Sequence, residues 1–287
     1  MNGIVIVDKP EGWTRQDVVS KLRGVLHTRR IGHGGTLDPM ATGVLPVFVG
    51  RGTRAVEFFE HAEKTYETVL HLGIATDTED ITGTVLETKE VAISESDFLN
   101  ILDRFRGEIQ QIPPMYSALK INGQKLCDLA RKGKEVERKP RTITIHQLDC
   151  LEFDGVFARL RVKCSKGTYI RTLCKDIGAA LGCGGCMESL RRVTAGAYTI
   201  DESIALQLLI DAEDPESFLK PVDSMFTEYA AITLTEKQTL RCRNGNSFSI
   251  NLPDGTYRAY SPDGEFLMLA KGESGIMSTI KSFFEVE

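Results

Sequence analysis

The sequence lacks most of the features that assign a chain to a function class at first sight. No apolar run in the 287 residues reaches the length of a membrane span, and Met1 to Gly3 lead directly into a predicted strand rather than into a signal peptide. Neither G-x-G-x-x-G nor a Walker A motif occurs. We therefore expect a cytoplasmic protein with no membrane partner, and the dinucleotide-binding and P-loop classes receive no support.

Cysteine is present, but in a pattern that favours neither disulfides nor a metal site. The seven cysteines are an odd number scattered through a long chain, which argues against a disulfide framework. The only C-x-x-C is Cys183 to Cys186, and it has neither a second pair nor a nearby histidine to complete a zinc site. We interpret these two cysteines as incidental thiols in a glycine-rich turn, and expect no metal.

Positive charge is in the minority overall, yet it is concentrated. The net charge is −5, whereas segments 117–146 and 159–192 each hold eight cations, against three and two acids respectively. The balancing acids gather elsewhere, as in 201–223. A segregated basic surface on an acidic protein is expected where the partner is a polyanion such as nucleic acid. Two ordinary solvated faces are the alternative interpretation.

Length and hydrophobic periodicity predict a mixed chain of helices and strands that forms one large domain, or one large and one small domain. The predicted elements are strands at 4–7, 44–49 and 65–72, helices opened by capping-box sequences at 14–17 and 94–97, and a hairpin whose turn is Asp154-Gly155.

A further helix is predicted to begin at Thr168, after a strand that ends in a glycine turn. Its first turn would contain Tyr169 and Arg171. An arginine at this position opposes the helix dipole, so an anionic partner is favoured to offset it. A solvated arginine side chain is the alternative.

Two segments differ from the rest of the chain in composition. The basic segment 117–146 contains one predicted short helix, at 124–131, and we interpret it as a protruding, mobile insertion. After the acidic stretch that ends at Asp223, residues 231–287 combine one short helical piece with several strands separated by Asn-Gly and Pro-Asp-Gly turns. This pattern predicts a small β-rich C-terminal module.

The glycine-rich segment 31–47 contains the most distinctive candidate for chemistry. Its glycines permit left-handed turns and close approach to a ligand, and Pro39 keeps the preceding Asp38 out of the helical region. No second carboxylate lies within five residues of Asp38, and His33 has no H-x-x-x-H partner for a metal. If the loop is catalytic, Asp38 acts as a lone nucleophile or base. A tight hairpin in which the aspartate makes only a local Asx-type hydrogen bond is the alternative.

Taken together, several motifs closely resemble the TruB family, the bacterial tRNA pseudouridine-55 synthases. The resemblance runs in order from Asn2-Gly3 to about Val193, and the C-terminal module is similar in position and size to the short PUA-type RNA-binding domain of that family. The motifs are Gly32-His33 with Gly35-Thr36-Leu37-Asp38-Pro39, Ala41-Thr42-Gly43, Lys64-x-Tyr66, Gly73 with Thr76-Asp77-Thr78, Ile112-Pro113-Pro114-x-Tyr116-Ser117-Ala118-Leu119-Lys120, and Cys164-Ser165-Lys166-Gly167-Thr168-Tyr169-Ile170-Arg171.

This resemblance implies an α+β fold. A mixed, largely antiparallel sheet would form the catalytic domain over 1–228, including the insertion at about 117–146, and a PUA-like domain would follow over 229–287. It also implies isomerisation of uridine-55 in the T-loop of tRNA to pseudouridine by base flipping, without metal or organic cofactor. The implied partner is tRNA, bound through its T-arm by a monomer that has no obligatory protein partner.

The resemblance also implies roles for individual residues. Asp38 would be the nucleophile, Arg171 would pair with it, and Tyr66 would stack on the flipped base and offer its hydroxyl for proton transfer. The implied substrate-binding residues are Lys9 as a support near the site, His33 in the space vacated by the base, Asp77 against the T-loop, Tyr169 and Leu190 as pocket walls, and Lys64 and Lys120.

Two other functions remain open at the level of sequence. One is a pseudouridine synthase that acts on another RNA, as the guide-RNA-dependent branch does; the short C-terminal module and the absence of long basic tails count against it. The other is a non-catalytic RNA-binding protein that retains the cleft. The presence of Asp38, Tyr66 and Arg171 together disfavours this second alternative, because binding alone has no need of a nucleophile.

Overall fold

The computed structural model describes residues 1–285 of the chain. Within that range the helices are α1 (Arg15–Val25), α2 (Val56–Phe59), α3 (Glu95–Leu102), α4 (Leu126–Ala130), α5 (Ile170–Ala180), α6 (Leu206–Asp211) and α7 (Glu236–Arg243). The strands are β1 (Gly3–Lys9), β2 (Ile31–His33), β3 (Thr42–Val49), β4 (Lys64–Leu72), β5 (Ile74–Thr76), β6 (Val85–Thr88), β7 (Gly107–Gln111), β8 (Lys120–Ile121), β9 (Gln124–Lys125), β10 (Arg141–Phe153), β11 (Phe157–Cys164), β12 (Gly185–Ala195), β13 (Tyr198–Thr199), β14 (Ile204–Ala205), β15 (Ala230–Thr233), β16 (Phe248–Ser249), β17 (Gly255–Tyr260), β18 (Phe266–Glu273) and β19 (Ile276–Ser282).

Ten strands form the main sheet, in the order β14-β1-β3-β12-β4-β11-β10-β7, with β2 added beside β3 and β13 beside β12. Only β1 with β14 and β3 with β12 run parallel. Burial alternates strictly along β4, as predicted for that segment. The strand order and directions confirm the mixed, largely antiparallel sheet that the resemblance implied.

The two faces of the main sheet are covered by different elements. One face presents Val5, Leu45 and Leu160 to a core that includes residues of α1, α3, α5 and α6. The first of these helices begins with the predicted capping box between Thr14 and Asp17. On the other face, part of the sheet packs against α2 and the C-terminal strands.

The C-terminal strands form a separate five-stranded sheet in the order β15-β17-β18-β19-β16, which confirms the predicted β-rich module and the α+β fold class. This sheet shares a core with the main one, because Leu269 and Phe283 pack in the same cluster as Ile4 and Phe48. The predicted boundary after residue 228 stays a prediction.

Three local expectations need correction. Helix α5 begins at Ile170, so Tyr169 is its N-cap residue in an extended conformation and does not lie in the first turn. Residues 141–146 belong to β10, so the irregular part of the basic insertion ends before Arg141. Strand β12 already includes Cys186, so that thiol lies in the sheet rather than in a turn. The mobility of the insertion stays a prediction.

Two further properties bear on the class of protein. All seven cysteines are free thiols. Among residues 1–285, no helix combines the length and the apolar character that crossing a bilayer would require.

Candidate active site

Asp38 lies in the loop between β2 and β3, and main-chain hydrogen bonds define the shape of this loop. The amide of Gly34 donates to the carbonyl of Pro46 over 2.8 Å, and the amide of Ala41 donates to the carbonyl of Asp38 over 3.0 Å. The amide of Gly12 reaches the carbonyl of Pro39 at 2.9 Å, which ties the loop to the turn after β1. These hydrogen bonds hold the glycine-rich loop that presents Asp38 in one shape.

Lys9 supports this loop from beneath. Its side chain is fully buried, and Nζ donates to the carbonyls of Pro10, Trp13 and Pro39 at 2.8, 2.6 and 3.1 Å. All three ammonium hydrogens are thereby used. Burial lowers the pKa of Lys9 to about 8, although the charge of Asp38 acts in the opposite direction. Lys9 therefore holds the backbone next to Asp38, as a support near the site.

Arg171 makes the ion pair with Asp38 that the resemblance implied. Its Nε lies 2.9 Å from Oδ2 of Asp38, and the aspartate side chain is 34% exposed whereas the arginine side chain is 7% exposed. The rest of the guanidinium donates to the carbonyls of Thr78, at 3.0 Å, and Tyr116, at 2.9 Å. The guanidinium is thus fixed from three sides, and the anionic partner favoured by its position on α5 is Asp38.

Asp80 is a second carboxylate at this arginine, and reasoning from the sequence missed it. Its Oδ2 lies 3.6 Å from Nη1 of Arg171, while Oδ1 accepts hydrogen bonds from the side chains of Thr78 and Thr82. The polar sequence from Thr76 to Asp80 was the available signal. It could not show that the loop folds back onto α5.

Glu79, next to Asp80, fastens this loop to the same helix. Its carboxylate is almost completely buried and accepts hydrogen bonds from Thr172 and Lys175 of α5. Its backbone has φ of 65°, a left-handed conformation that non-glycine residues adopt only when their surroundings require it. These hydrogen bonds of Glu79 hold the loop against α5 and so place the carbonyl of Thr78 beside Arg171.

Tyr66 and Leu190 are neighbours on the covered face of the sheet. In the register of β4 and β12, Tyr66 lies opposite Arg192, and Leu190 lies opposite Thr68. Both Tyr66 and Leu190 are less than a tenth exposed. Burial raises the pKa of the Tyr66 phenol, so the hydroxyl is neutral and can act as a proton donor at neutral pH.

Tyr169 is held at the start of α5 by Gln111, a second residue that sequence reasoning missed. Oε1 of Gln111 accepts from the amide of Tyr169 over 2.8 Å, and Nε2 donates to its carbonyl over 3.0 Å. Gln111 is 2% exposed. It replaces a side-chain cap that α5 lacks, two residues before Arg171.

His33 and Lys64 are both poorly solvated. Burial lowers the pKa of His33 to about 4, with a further contribution from the charge of Arg15, and its Nδ1 is buried without a hydrogen-bond partner. Burial likewise lowers the pKa of Lys64 to about 8; Nζ donates to the carbonyl of Ala62 and lies 5.6 Å from the centre of the Phe59 ring. The ammonium group of Lys64 therefore makes its contacts with other residues of the protein.

Asp77 and Lys120 are both exposed, and among the described residues neither is bonded to Asp38 or Arg171. Oδ1 of Asp77 accepts from the amide of Thr84 over 2.7 Å and closes the turn between β5 and β6. Lys120 begins the β8–β9 hairpin of the basic insertion. The structure thus groups Asp38, Arg171, Tyr66, Tyr169, Leu190, Lys9 and His33 around the loop, and leaves these two at the periphery.

The arrangement can present one carboxylate, held by an arginine, to a bound molecule beside a neutral phenol. Among residues 1–285, no three His, Cys, Asp or Glu side chains are grouped as metal ligands.

Comparison with known families identifies relatives over nearly the whole chain. The family described as "TruB family pseudouridylate synthase (N terminal domain)" matches residues 23–170, and that described as "tRNA pseudouridylate synthase B C-terminal domain" matches residues 171–227. The chain is 41% identical to tRNA pseudouridine synthase B of Clostridium kluyveri, over 99% of this chain and 100% of that protein. It is 43% identical to the proteins of that name from Pseudomonas fluorescens, over 93% and 90%, and from Dechloromonas aromatica, over 96% and 92%.

Solved structures show the same architecture. A Cbf5–Nop10–Gar1 complex contains a chain that is 25% identical and superposes with a TM-score of 0.73, covering 99% of this chain and 85% of that one. An H/ACA RNP bound to a substrate RNA containing 2′-deoxyuridine gives the same TM-score at 23% identity, covering 99% and 86%. The second likeness concerns the fold alone.

Proposed function

The chain belongs to the TruB family of pseudouridine synthases, and from this premise we propose that it converts uridine-55 in the T-loop of tRNA to pseudouridine, with Asp38 as the nucleophile and without a cofactor. The substrate class is supported by the tRNA pseudouridine synthases B to which the chain is more than 40% identical over most of its length.

The observation that carries this proposal is the pair formed by Asp38 and Arg171. One oxygen of Asp38 faces the guanidinium at 2.9 Å, and no hydrogen bond from the described residues reaches the other oxygen. A carboxylate held in one direction, with a free oxygen and a side chain 34% exposed, is suited to attack a bound molecule. A purely structural aspartate in a tight turn would instead use its oxygens on neighbouring amides.

The balance of the reaction is compatible with such a simple site. The bond between N1 and C1′ breaks, a bond between C5 and C1′ forms, C5 loses a proton and N1 gains one. Nothing is oxidised or reduced and no water is consumed, so a lone carboxylate and one group that moves a proton are sufficient. We assign the proton transfer to the Tyr66 hydroxyl, which burial keeps neutral: it would give its own proton to N1 and receive the one that C5 loses.

The target base must leave the T-loop before it can meet Asp38. Flipping a base costs a few kcal/mol, and stacking in a pocket offsets that cost. Tyr66, Leu190 and Tyr169 would enclose the flipped uracil, and the neutral, half-buried His33 would occupy the space that it leaves. Asp77, exposed at its turn, would contact the rearranged T-loop.

The basic insertion would supply most phosphate contacts. Two of its exposed cations lie in the β8–β9 hairpin, and the others follow α4, which is anchored by the buried Leu126 and Leu129. Such contacts position RNA without reading its sequence. We propose that residues 1–228 form the catalytic domain, that 229–287 form a PUA-like RNA-binding domain, and that the protein acts as a monomer in the cytoplasm. The exposed cations of the insertion are Lys120, Lys125, Arg131, Lys132, Lys134, Lys139 and Arg141.

The test is tritium release from a T-arm transcript labelled with [5-³H]uridine. We expect release by the wild type and none by Asp38→Asn, whose affinity for tRNA should stay within a few fold because the binding surface is intact. Asp211→Asn, an exposed change at the end of α6, is the matched control and should release tritium normally. A transcript with cytidine at position 55 should abolish release.

The outcomes separate the proposals. Undiminished release by Asp38→Asn would refute the nucleophile assignment. No release by any variant, with tRNA binding intact, would favour a non-catalytic RNA-binding protein. Release that survives the cytidine substitution would show that another uridine is the target.

A further inference from the structure

Arg192 is a buried arginine without a carboxylate partner among the described residues. It is 1% exposed and is the largest of the fully buried side chains. Nε donates to the carbonyl of Val44 over 2.7 Å, Nη1 reaches the carbonyl of Thr36 at 3.4 Å, and Nη2 has no partner. Burying a charge without an opposite charge is costly, so a chain that retains one gains something in return.

The two carbonyls that Arg192 binds lie on either side of Asp38. Thr36 precedes the aspartate by two residues, and Val44 follows the loop in β3. Between them, Gly43 lies directly against the backbone of Arg192: its φ is 100°, and a Cβ atom there would be 2.2 Å from the carbonyl oxygen of Arg192. The guanidinium therefore holds both ends of the segment that presents Asp38.

The strand that carries Arg192 also connects the two halves of the candidate site. Strand β12 pairs with β3 on one side, where Arg192 is aligned with Gly43, and with β4 on the other, where Arg192 lies opposite Tyr66. Directly opposed residues in a sheet share a face and lie about 5 Å apart. Arg192 is thus the point at which the loop of Asp38 and the strand of Tyr66 are joined.

The charge of Arg192 is felt by the groups around it. Burial raises the pKa of Tyr66, and the charge of Arg192 partly opposes this. After burial, the same charge also contributes to the lowered pKa values of Lys64 and His33. The Arg192 guanidinium is therefore a buried cation beneath the site. It does not belong to the basic surface that was expected for segment 159–192.

We propose that Arg192 is a positioning residue for the proposed isomerisation, because its guanidinium spans the carbonyls of Thr36 and Val44 and so sets the place of Asp38 relative to Tyr66. The proposal rests on the proposed function. The role requires one side chain to donate to two separate carbonyls. An arginine can do so through two nitrogens, whereas the single ammonium group of a lysine, at the end of a flexible chain, does not bridge them.

The first measurement needs no RNA. In Arg192→Lys, we expect the loop amides of Gly34 and Ala41 to exchange hydrogen about tenfold faster or more than in the wild type, while amides of α5 and the C-terminal sheet are unchanged. Arg106→Lys is the matched control, because Arg106 also donates through two nitrogens to one carbonyl, that of Leu148, at a site away from the loop. It should leave loop exchange as it is.

The second measurement follows the reaction. Single-turnover tritium release by Arg192→Lys and Arg192→Met should fall by a similar factor, about 100-fold, as expected for misplaced reacting groups. The dissociation constant for tRNA should change by no more than a few fold, because the binding surface is untouched. If the substitutions only destabilised the fold, the variants would lose thermal stability and RNA affinity together. If Arg192→Met does not fold, Arg192→Lys alone carries the test.

The results discriminate cleanly. Full activity in Arg192→Lys would overturn the positioning role. Hydrogen exchange of the loop amides that is unchanged in Arg192→Lys and Arg192→Met would overturn it as well. Retention of activity by the lysine variant with loss in the methionine variant would show that charge, not geometry, is what matters. Faster loop exchange in the variants, together with no release by the wild type, would preserve the positioning role and refute the proposed function.

Discussion

At the scale of single residues, the site is organised by cations that are buried in different ways. Arg171 lies between Asp38, at 2.9 Å, and Asp80, at 3.6 Å, and its remaining donors are used by main-chain carbonyls. Lys9 uses its three donors on carbonyls alone. These buried cations therefore fix the backbone around Asp38 and one of its oxygens, and leave the other oxygen without a hydrogen bond from the described residues.

His33 offers a prediction about pH at the same scale. Burial lowers its pKa to about 4 in the folded protein, against 6.5 for the ordinary side chain. The unfolded chain therefore binds a proton more readily, so the contribution of His33 to stability is fully present above pH 6.5 and is lost as pH falls towards 4.

We expect the His33 ring to titrate near pH 4 when followed by NMR of its carbon-bound protons. The loss of stability between pH 6.5 and 4, measured by urea unfolding, should be smaller in His33→Asn than in the wild type. The spectrum of His33→Asn identifies the ring signals that belong to His33. Titration of His33 near pH 6.5 would contradict the prediction.

At the scale of elements, the sequence correctly predicts those helices, strands and turns that are determined by residues close together in the chain. The capping box of α1, the alternation along β4 and the Asp154-Gly155 hairpin each depend on residues a few positions apart, and each is present. The start of α5 was misplaced because its cap comes from Gln111, which is 58 residues away. No rule of sequence spacing can detect such a partner.

The same reason explains what was missed in the site. Arg192 was counted among the cations of segment 159–192, for which a basic surface was expected, yet β12 inserts it between two strands that come more than 100 residues earlier. Asp80 was visible only as part of a polar loop. Both depend on strand pairings that a single sequence does not specify.

Gly43 gives a prediction for the element that joins the loop to β3. Gly43→Ala would place a Cβ atom 2.2 Å from the carbonyl oxygen of Arg192, in a backbone conformation with φ of 100°. Because strand pairing must shift to relieve this contact, we expect a loss of about 2–4 kcal/mol in the free energy of unfolding, measured by urea denaturation.

Gly24→Ala is the matched control for this change. Gly24 lies in α1, and a Cβ atom there has no neighbour within 4 Å. Alanine in a helix should stabilise the protein by up to about 1 kcal/mol relative to glycine. Equal effects of the two substitutions would show that the close approach at Gly43 is not important for stability.

At the scale of the whole molecule, the C-terminal sheet packs against the main sheet through an apolar contact. Phe226 lies between the two units, with ring centres 5.4 Å from Phe58 and 5.8 Å from Phe283. The hydroxyl of Tyr260 donates to Asp223 on the segment that connects the units. If the C-terminal sheet binds RNA as proposed, this packing would let one RNA molecule contact both sheets.

The distribution of charge leads to the last prediction. The molecule carries a net charge of −5, so attraction to RNA must come from a local surface rather than from the whole protein. If the basic insertion supplies phosphate contacts, tRNA affinity should fall steeply and linearly with salt on logarithmic axes, because bound cations are released from the RNA.

Lys132→Gln with Lys134→Gln removes two exposed cations of the insertion. We expect this pair to reduce the slope of log affinity against log salt by about one for each phosphate that the variant no longer binds, as measured by filter binding at a series of salt concentrations. Lys21→Gln, on the exposed side of α1, should leave the slope unchanged. Because the insertion variant removes two positive charges and the control removes one, the change in slope is compared per charge removed. A slope that falls only for the insertion variant indicates direct binding of RNA by the insertion. A flat salt dependence in the wild type would remove the insertion from the RNA-binding surface.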